Sequence, residues 1–122
     1  MLVKNPGISK YFIGSDIVYT NESKNLLLND ENINFDDWEE LTYNLTESSL
    51  NKYKSNVALT ILGEAGPISS SKYPVGTIFI CISNGEKTVI SDHKMNGNRA
   101  EILERASNKA QWELIKFIKN LY

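Results

Sequence analysis

The stretch Leu62-Gly63-Glu64-Ala65-Gly66-Pro67-Ile68-Ser69-Ser70-Ser71-Lys72-Tyr73-Pro74-Val75-Gly76 lies between two short apolar runs, residues 57–62 and 77–82. Both runs are rich in β-branched and aromatic residues, which is typical of strands buried on both faces of a sheet. The glycines and prolines between them predict a loop where one strand ends and the next begins. Such a loop is either a structural turn or a place where a ligand meets backbone N–H groups.

The residues before this stretch predict a helical turn, a strand and a helix. Residues 8–13 form the turn and residues 16–19 the strand. Thr20 is suited to cap a helix over residues 21–28, because its side-chain oxygen can accept from the free N–H groups of the first turn. A polar loop follows at residues 29–32.

A longer helix is predicted over residues 35–53, capped by Asn34. Apolar side chains recur on it at helical spacing and define one buried stripe: Phe35, Trp38, Leu41, Leu45 and Tyr53. Its first turns carry four acidic residues: Asp36, Asp37, Glu39 and Glu40. These acids are either metal ligands or a solvated face that the helix dipole favours, and the dipole explains them without a ligand.

The residues after the loop predict a hairpin. Asn84-Gly85 is a strong turn signal, and it joins residues 75–82 to an antiparallel strand over residues 87–95. The second strand alternates between apolar and polar residues, as an edge or half-covered strand does. His93, the only histidine, is therefore expected to be partly exposed rather than catalytic.

A final helix is predicted from Arg99 to about Leu121, with Asn98 and Glu101 forming its capping box. Its expected apolar stripe covers the sheet and comprises Leu103, Ala106, Ala110, Leu114, Phe117, Ile118 and Leu121. We therefore predict an α/β fold in which helices cover a mixed sheet, with residues 1–122 as a single domain.

Composition narrows the possible functions. A formal net charge of −2 is too small to indicate binding to nucleic acid or to a membrane surface. No apolar run reaches the roughly 18 residues that a membrane helix needs. The single cysteine, Cys81, lies in the most apolar run, so we expect a core residue rather than a reactive thiolate. These features predict a cytoplasmic protein.

Several segments together resemble the CinA C-terminal family, the nicotinamide-nucleotide amidases. Residues 63–67 are similar to that family's G-x-A-G-P, and residues 74–78 to its P-V-G-T-hydrophobic strand. Residues 19–24, Tyr-Thr-Asn-Glu-Ser-Lys, are similar to its Y-S-N-E-A-K. Residues 96–99, Asn-Gly-Asn-Arg, are similar to its S-G-D-R before a long helix. Pro6 to Phe12 fits the segment that precedes Y-S-N-E-A-K, so the matches run in order along nearly the whole chain.

The resemblance implies a metal-free amidohydrolase that releases ammonia from nicotinamide mononucleotide and needs no cofactor. The family's nucleophile is a serine in an A-E-S-x-T-G-G segment, which this sequence does not contain. We therefore expect a CinA-like fold lacking the family's first strand and helix, with no metal site. We also expect self-association, because loss of that cover exposes a sheet edge or an apolar face.

The resemblance also implies the roles of individual residues. Lys24 and Tyr19 match catalytic positions, with Lys24 as the base or charge stabiliser; the alternative is a surface lysine. Arg99 is either a phosphate ligand or a solvated arginine. The remaining substrate-binding positions are Thr20, Asn21, Gly63, Ala65 and Gly66. Thr20 is expected to be a helix cap rather than a substitute nucleophile.

Departures from the family pattern surround these positions. Leu62 stands where the family has a hydroxyl residue, and Asn98 replaces its aspartate. Glu64 replaces an apolar residue and places a negative charge beside a site meant for an anion. The insert, residues 68–73, lacks the family's D-G-G. We therefore predict a catalytically impaired nucleotide-binding or interaction module; the alternative is an active amidase whose nucleophile comes from another chain or from upstream sequence.

Overall fold

Three strands form one antiparallel sheet in the computed structural model, which describes residues 4, 6–30, 32–69 and 71–120. The strands β1 (Ala58–Gly63), β2 (Thr77–Ser83) and β3 (Thr88–Lys94) lie in the order β1-β2-β3. Strand β2 pairs with both neighbours, with Leu59 opposite Ile82 and Ile80 opposite Ser91. The predicted hairpin between β2 and β3 is confirmed.

Three α-helices accompany the sheet: α1 (Asn21–Leu28), α2 (Trp38–Tyr53) and α3 (Arg99–Lys119). A short 3₁₀ turn, Ile8–Lys10, precedes them within the predicted turn at residues 8–13. Helix α1 has the predicted bounds and cap, and α3 begins at Arg99 with the predicted capping box of Asn98 and Glu101. The α/β class is confirmed.

The alternation of side chains along β2 creates two apolar clusters, one on each face of the sheet. On the first face, Ile78, Ile80 and Ile82 pack against four residues of α3: Ile102, Ala106, Ala110 and Phe117. On the second face, Phe79 packs against a cluster formed by Trp38, Leu41 and Leu45 of α2 together with Leu62. The sheet therefore lies between α2 and α3. Cys81, fully buried on β2, is a core residue as predicted, and burial raises the pKa of its thiol.

Several predicted boundaries are wrong. Residues 16–19 are not part of the sheet; the Asp16 carboxylate instead accepts from the Lys52 ammonium at 2.9 Å. Helix α2 begins at Trp38 rather than Phe35, because Asn34 holds a turn through a 3.0 Å bond from the Asp36 N–H. The Asp37 carboxylate is the actual cap and accepts from the Glu40 N–H at 3.1 Å.

The apolar stripe of α3 lies about one residue away from the predicted one. Ile102, which was not predicted, is buried, whereas Leu103 and Ile118 are exposed. The positions 102, 106 and 110 are four residues apart, so they share one face of the helix, and Leu103 points about 100° away. Leu121 lies outside the described residues. Burial of the first strand on both faces is also incomplete, since the Ile61 side chain is 44% exposed.

Candidate functional site

Four segments converge around the loop that follows β1. They are the end of the extended segment at Tyr19, the first turn of α1 at Lys24, the loop at Glu64 and Gly66, and the start of α3 at Arg99. We call these five residues the loop site. The sheet holds the loop in place, because the Glu64 N–H donates to the Thr77 carbonyl at 3.0 Å and the Gly76 N–H donates to the Glu64 carbonyl at 2.7 Å.

Arg99 joins three of these segments through its guanidinium. Its Nη1 donates to the Gly66 carbonyl at 2.8 Å, and its Nη2 donates to the Tyr19 hydroxyl at 3.4 Å. Tyr19 and Arg99 are 80 positions apart in the sequence. The structure thus brings together Tyr19, Gly66 and Arg99, as the resemblance implied, and Arg99 is not a freely solvated side chain.

Gly66 is a glycine for conformational reasons. Its φ angle is +83°, in the left-handed region that favours glycine, and a Cβ there would lie 2.7 Å from the Val75 side chain. The Gly66–Pro67 peptide bond is cis. The same backbone conformation presents the Gly66 carbonyl to Arg99.

Lys24 and Glu64 form the charged part of the loop site. Burial lowers the pKa of the half-buried Lys24 ammonium, and the negative charge of Glu64 opposes that shift. Lys24 is therefore not an ordinary surface lysine, since desolvation favours the neutral amine that can accept a proton. Glu64 is only 9% exposed, so its charge acts in surroundings with little water.

The serine-rich insert supplies a partner for Glu64 that the sequence did not predict. The Ser71 hydroxyl donates to the Glu64 carboxylate at 2.8 Å and accepts from the Tyr73 N–H at 3.2 Å. The Tyr73 hydroxyl in turn donates to the Asp36 carbonyl at 3.0 Å and accepts from the Trp38 N–H at 3.2 Å. The Tyr73 ring also stacks on Trp38, with 4.3 Å between ring centroids, so the insert is anchored to the start of α2.

Thr20 caps α1. Its hydroxyl oxygen accepts from the Ser23 N–H at 3.1 Å, and the Ser23 hydroxyl oxygen accepts from the Thr20 N–H at 3.1 Å. This capping box confirms the interpretation of Thr20 as a helix cap. Asn21 is exposed at the first position of the helix, and no polar contact places it in the loop site among the described residues.

Gly63 and Ala65 have packing roles. A Cβ on Gly63 would lie 2.4 Å from the Ile78 side chain, so its lack of a side chain lets β1 approach β2. Ala65 packs against the apolar cluster beneath α3. Both residues shape the loop without facing Arg99.

The acidic start of α2 has a structural explanation. Asp37 is the helix cap, and Glu39 and Glu40 lie in the first turn, where the helix dipole favours negative charge. Among the residues that the structure describes, no three histidine, cysteine, aspartate or glutamate side chains are placed to hold a metal ion together.

The sequence of the whole domain matches a known family. The sequence model of the CinA C-terminal domain aligns with residues 1–118. The chain belongs to the CinA C-terminal domain family. A CinA-like protein from Syntrophomonas wolfei is 30% identical over 98% of this chain and 30% of the relative. A putative competence-damage inducible protein from Clostridioides difficile is 29% identical over 93% of this chain and 28% of the relative.

Solved CinA structures share the fold of this domain. The competence damage-inducible protein A from Klebsiella pneumoniae superposes with a TM-score of 0.89 at 15% identity, over 97% of this chain and 76% of that one. A CinA superfamily protein from Enterobacter cloacae gives a TM-score of 0.87 at 19% identity, over 94% and 71%. This CinA domain spans about three tenths of the length of the curated relatives above.

Proposed function

We propose that this CinA domain binds a nicotinamide-type mononucleotide at the loop site and serves as a binding or interaction module. The observation that carries the proposal is Arg99, which is held at the start of α3 by the Gly66 carbonyl and the Tyr19 hydroxyl. A guanidinium has five N–H donors, so these two bonds leave three for a phosphate group. The N-terminus of α3 adds free backbone N–H groups and the positive end of the helix dipole.

The charged pair beside Arg99 suits the other end of such a ligand. A carboxamide carries both a donor and an acceptor, and the loop site offers the Glu64 carboxylate and the Lys24 ammonium. Glu64 stays beside the site because the Ser71 hydroxyl donates to it. This arrangement supports recognition of an amide.

The hydroxyls around the loop site favour binding over hydrolysis. The Thr20 hydroxyl is engaged in the cap of α1, and the Ser71 hydroxyl donates to Glu64 rather than to Lys24. A serine or threonine nucleophile needs a base that takes its proton as it attacks. Neither of these hydroxyls is paired with Lys24 in that way.

One observation favours a second candidate, an active nicotinamide-nucleotide amidase whose nucleophile is supplied by another chain or by upstream sequence. Burial lowers the pKa of Lys24, which is the property required of a lysine acting as a base. In this alternative the described residues supply the base and the phosphate site.

Titration calorimetry with nicotinamide mononucleotide tests the binding proposal. Arg99→Ala should raise the Kd about 10-fold or more, because it removes a charge-assisted contact to phosphate. Arg105→Ala is the matched control, since Arg105 lies later on α3 and pairs with Glu101 at 3.4 Å. Absence of binding by the unmodified domain, or equal losses in both variants, would contradict the proposal.

Ammonia release separates the two candidates. The binding module should release no ammonia from nicotinamide mononucleotide when incubated alone. Turnover that Lys24→Ala abolishes would instead establish the amidase. We place this function in the cytoplasm, as the lone and buried Cys81 thiol suggests. Among the described residues, none of the helices is sufficiently long and apolar to traverse a lipid bilayer.

A further inference from the structure

Strand β3 carries a serine and a histidine in direct contact, away from the loop site. The Ser91 Oγ and the His93 Nε2 are 2.9 Å apart. The two residues are two positions apart on the strand and therefore share one face. His93 is half-buried, in agreement with the prediction of partial exposure. A serine hydroxyl within hydrogen-bonding reach of an imidazole nitrogen is the pairing that activates a nucleophile.

Ser91 also lines a cavity of about 140 Å³ between β3 and the end of α3. The walls are largely apolar and include Ile80, Ile82 and Phe117, which are almost fully buried. A dry cavity of about 150 Å³ can hold one benzene molecule, so this one has room for an acyl chain of roughly four to six carbon atoms. The hydroxyl thus lies beside a space that fits a short apolar group.

Two ammonium groups border the same cavity. Lys87 lies over the Phe117 ring, with its Nζ 5.7 Å from the ring centroid. The Lys116 ammonium is paired with Glu113 at 3.3 Å, and Glu113 also accepts from Lys109 at 3.2 Å. Three lysines thus face one carboxylate, and this edge carries net positive charge. Positive charge beside an apolar, water-poor space stabilises an oxyanion as it develops.

We propose that Ser91 and His93 form a nucleophile–base pair that hydrolyses short-chain acyl esters at this cavity. With the ring proton on Nδ1, the His93 Nε2 takes the hydroxyl proton as Ser91 Oγ attacks the ester carbonyl. The resulting oxyanion collapses, the alkoxide leaves with the proton from Nε2, and the acyl group stays on Ser91. Water then attacks the acyl-enzyme with the same base, which releases the carboxylic acid and restores the serine.

The test uses p-nitrophenyl butyrate and the intact domain, with release of p-nitrophenol as the readout. Ser91→Ala and His93→Gln should each lower kcat/KM by about 100-fold or more, the usual contribution of a general base or its nucleophile. Ser48→Ala is the matched control, because Ser48 is also half-buried but donates to the Leu27 carbonyl at 3.2 Å, away from this cavity. It should keep the full rate.

Covalent labelling keeps the test independent of variant folding. A fluorophosphonate probe should modify the unmodified domain at Ser91, as located by peptide mass spectrometry, and His93→Gln should abolish the label. The proposal is overturned if the domain hydrolyses the ester no faster than free imidazole at the same concentration. It is equally overturned if Ser91→Ala retains the rate, or if the label lies on another residue.

Discussion

Lys24 and Glu64 show how one residue sets the protonation of another at the loop site. Burial lowers the pKa of Lys24, while the charge of Glu64 limits that shift. Because the pKa is lower in the folded than in the unfolded state, the unfolded chain binds more protons between the two values. Stability contributed by Lys24 therefore rises with pH across that interval, and the cost of burying the charge is present below it.

Glu64→Gln should lower the pKa of Lys24 further, because it removes the only opposing charge named for this lysine. The rate of Lys24 acetylation by acetic anhydride, followed by mass spectrometry across a pH series, reports the neutral amine. Its midpoint should move to lower pH in the variant. Glu47→Gln is the control, since Glu47 accepts from Ser83 at 2.9 Å on the opposite side of α2 from α1's Lys24 cap region and is not among the charges acting on Lys24. An unchanged or higher midpoint in Glu64→Gln would contradict this account.

The residues of the loop site differ in how well the sequence predicts them. The proximity of Tyr19, Gly66 and Arg99 follows from the family motifs, since no local pattern relates residues so far apart. The bond between Ser71 and Glu64 does not follow, because the insert offers several neighbouring serines with the same chemistry. Tyr73 was also missed: an aromatic residue in a polar loop gives no sign that it stacks on Trp38.

Helix α1 depends on its cap more than α2 or α3 does. It has no fully buried residue, so packing contributes little to holding it. Thr20→Ala should therefore speed amide hydrogen exchange in residues 21–28 and leave the exchange of β2 unchanged. Thr20→Ser keeps the hydroxyl and should exchange like the unmodified domain. Equal protection of α1 in both variants would show that the cap is unimportant.

Strand β2 carries most of the core, and its neighbour β1 does not. Ile80 is only 1% exposed, so Ile80→Ala should lower the free energy of unfolding by about 2–5 kcal/mol. Ile61→Ala removes the same atoms from a side chain that is 44% exposed, and it should cost clearly less. Urea denaturation of the two variants measures both values. Similar losses would mean that Ile61 is covered in solution.

At the level of elements, periodicity predicted which segments form helices and strands better than where they begin. Asn34 and Asp37 are both suitable caps, and only the turn at Asp36 decides between them. The stripe of α3 was misplaced because Ile102 and Leu103 are adjacent and equally apolar. Residues 16–19 have the composition of a strand, but strand formation also needs a neighbour, which the sequence of the segment does not specify.

The whole molecule exposes apolar side chains on one side of α1. Ile17 is 91% and Leu26 is 83% exposed, and Leu26 borders a cleft that also includes Val18. We infer that this surface mediates self-association, since exposed apolar clusters commonly mark contact sites. Light scattering coupled to gel filtration should detect an oligomer.

Leu26→Lys should shift that oligomer towards the monomer. Ile115→Lys is the matched control, because Ile115 is also exposed but lies on α3. A domain that remains monomeric at every concentration tested would refute self-association, and equal effects of both variants would refute this surface. The α/β class is confirmed for the molecule as a whole, whereas the assignment of residues 1–122 to one domain stays a prediction.

The two backbone bonds that close the loop after β1 have a consequence for how such domains diversify. Glu64 pairs through its main chain with Thr77 and Gly76, so the ends of the insert are fixed without help from any side chain. The residues between these ends form a replaceable cassette. Relatives can lengthen, shorten or rewrite it and acquire new ligands while the underlying scaffold is inherited intact.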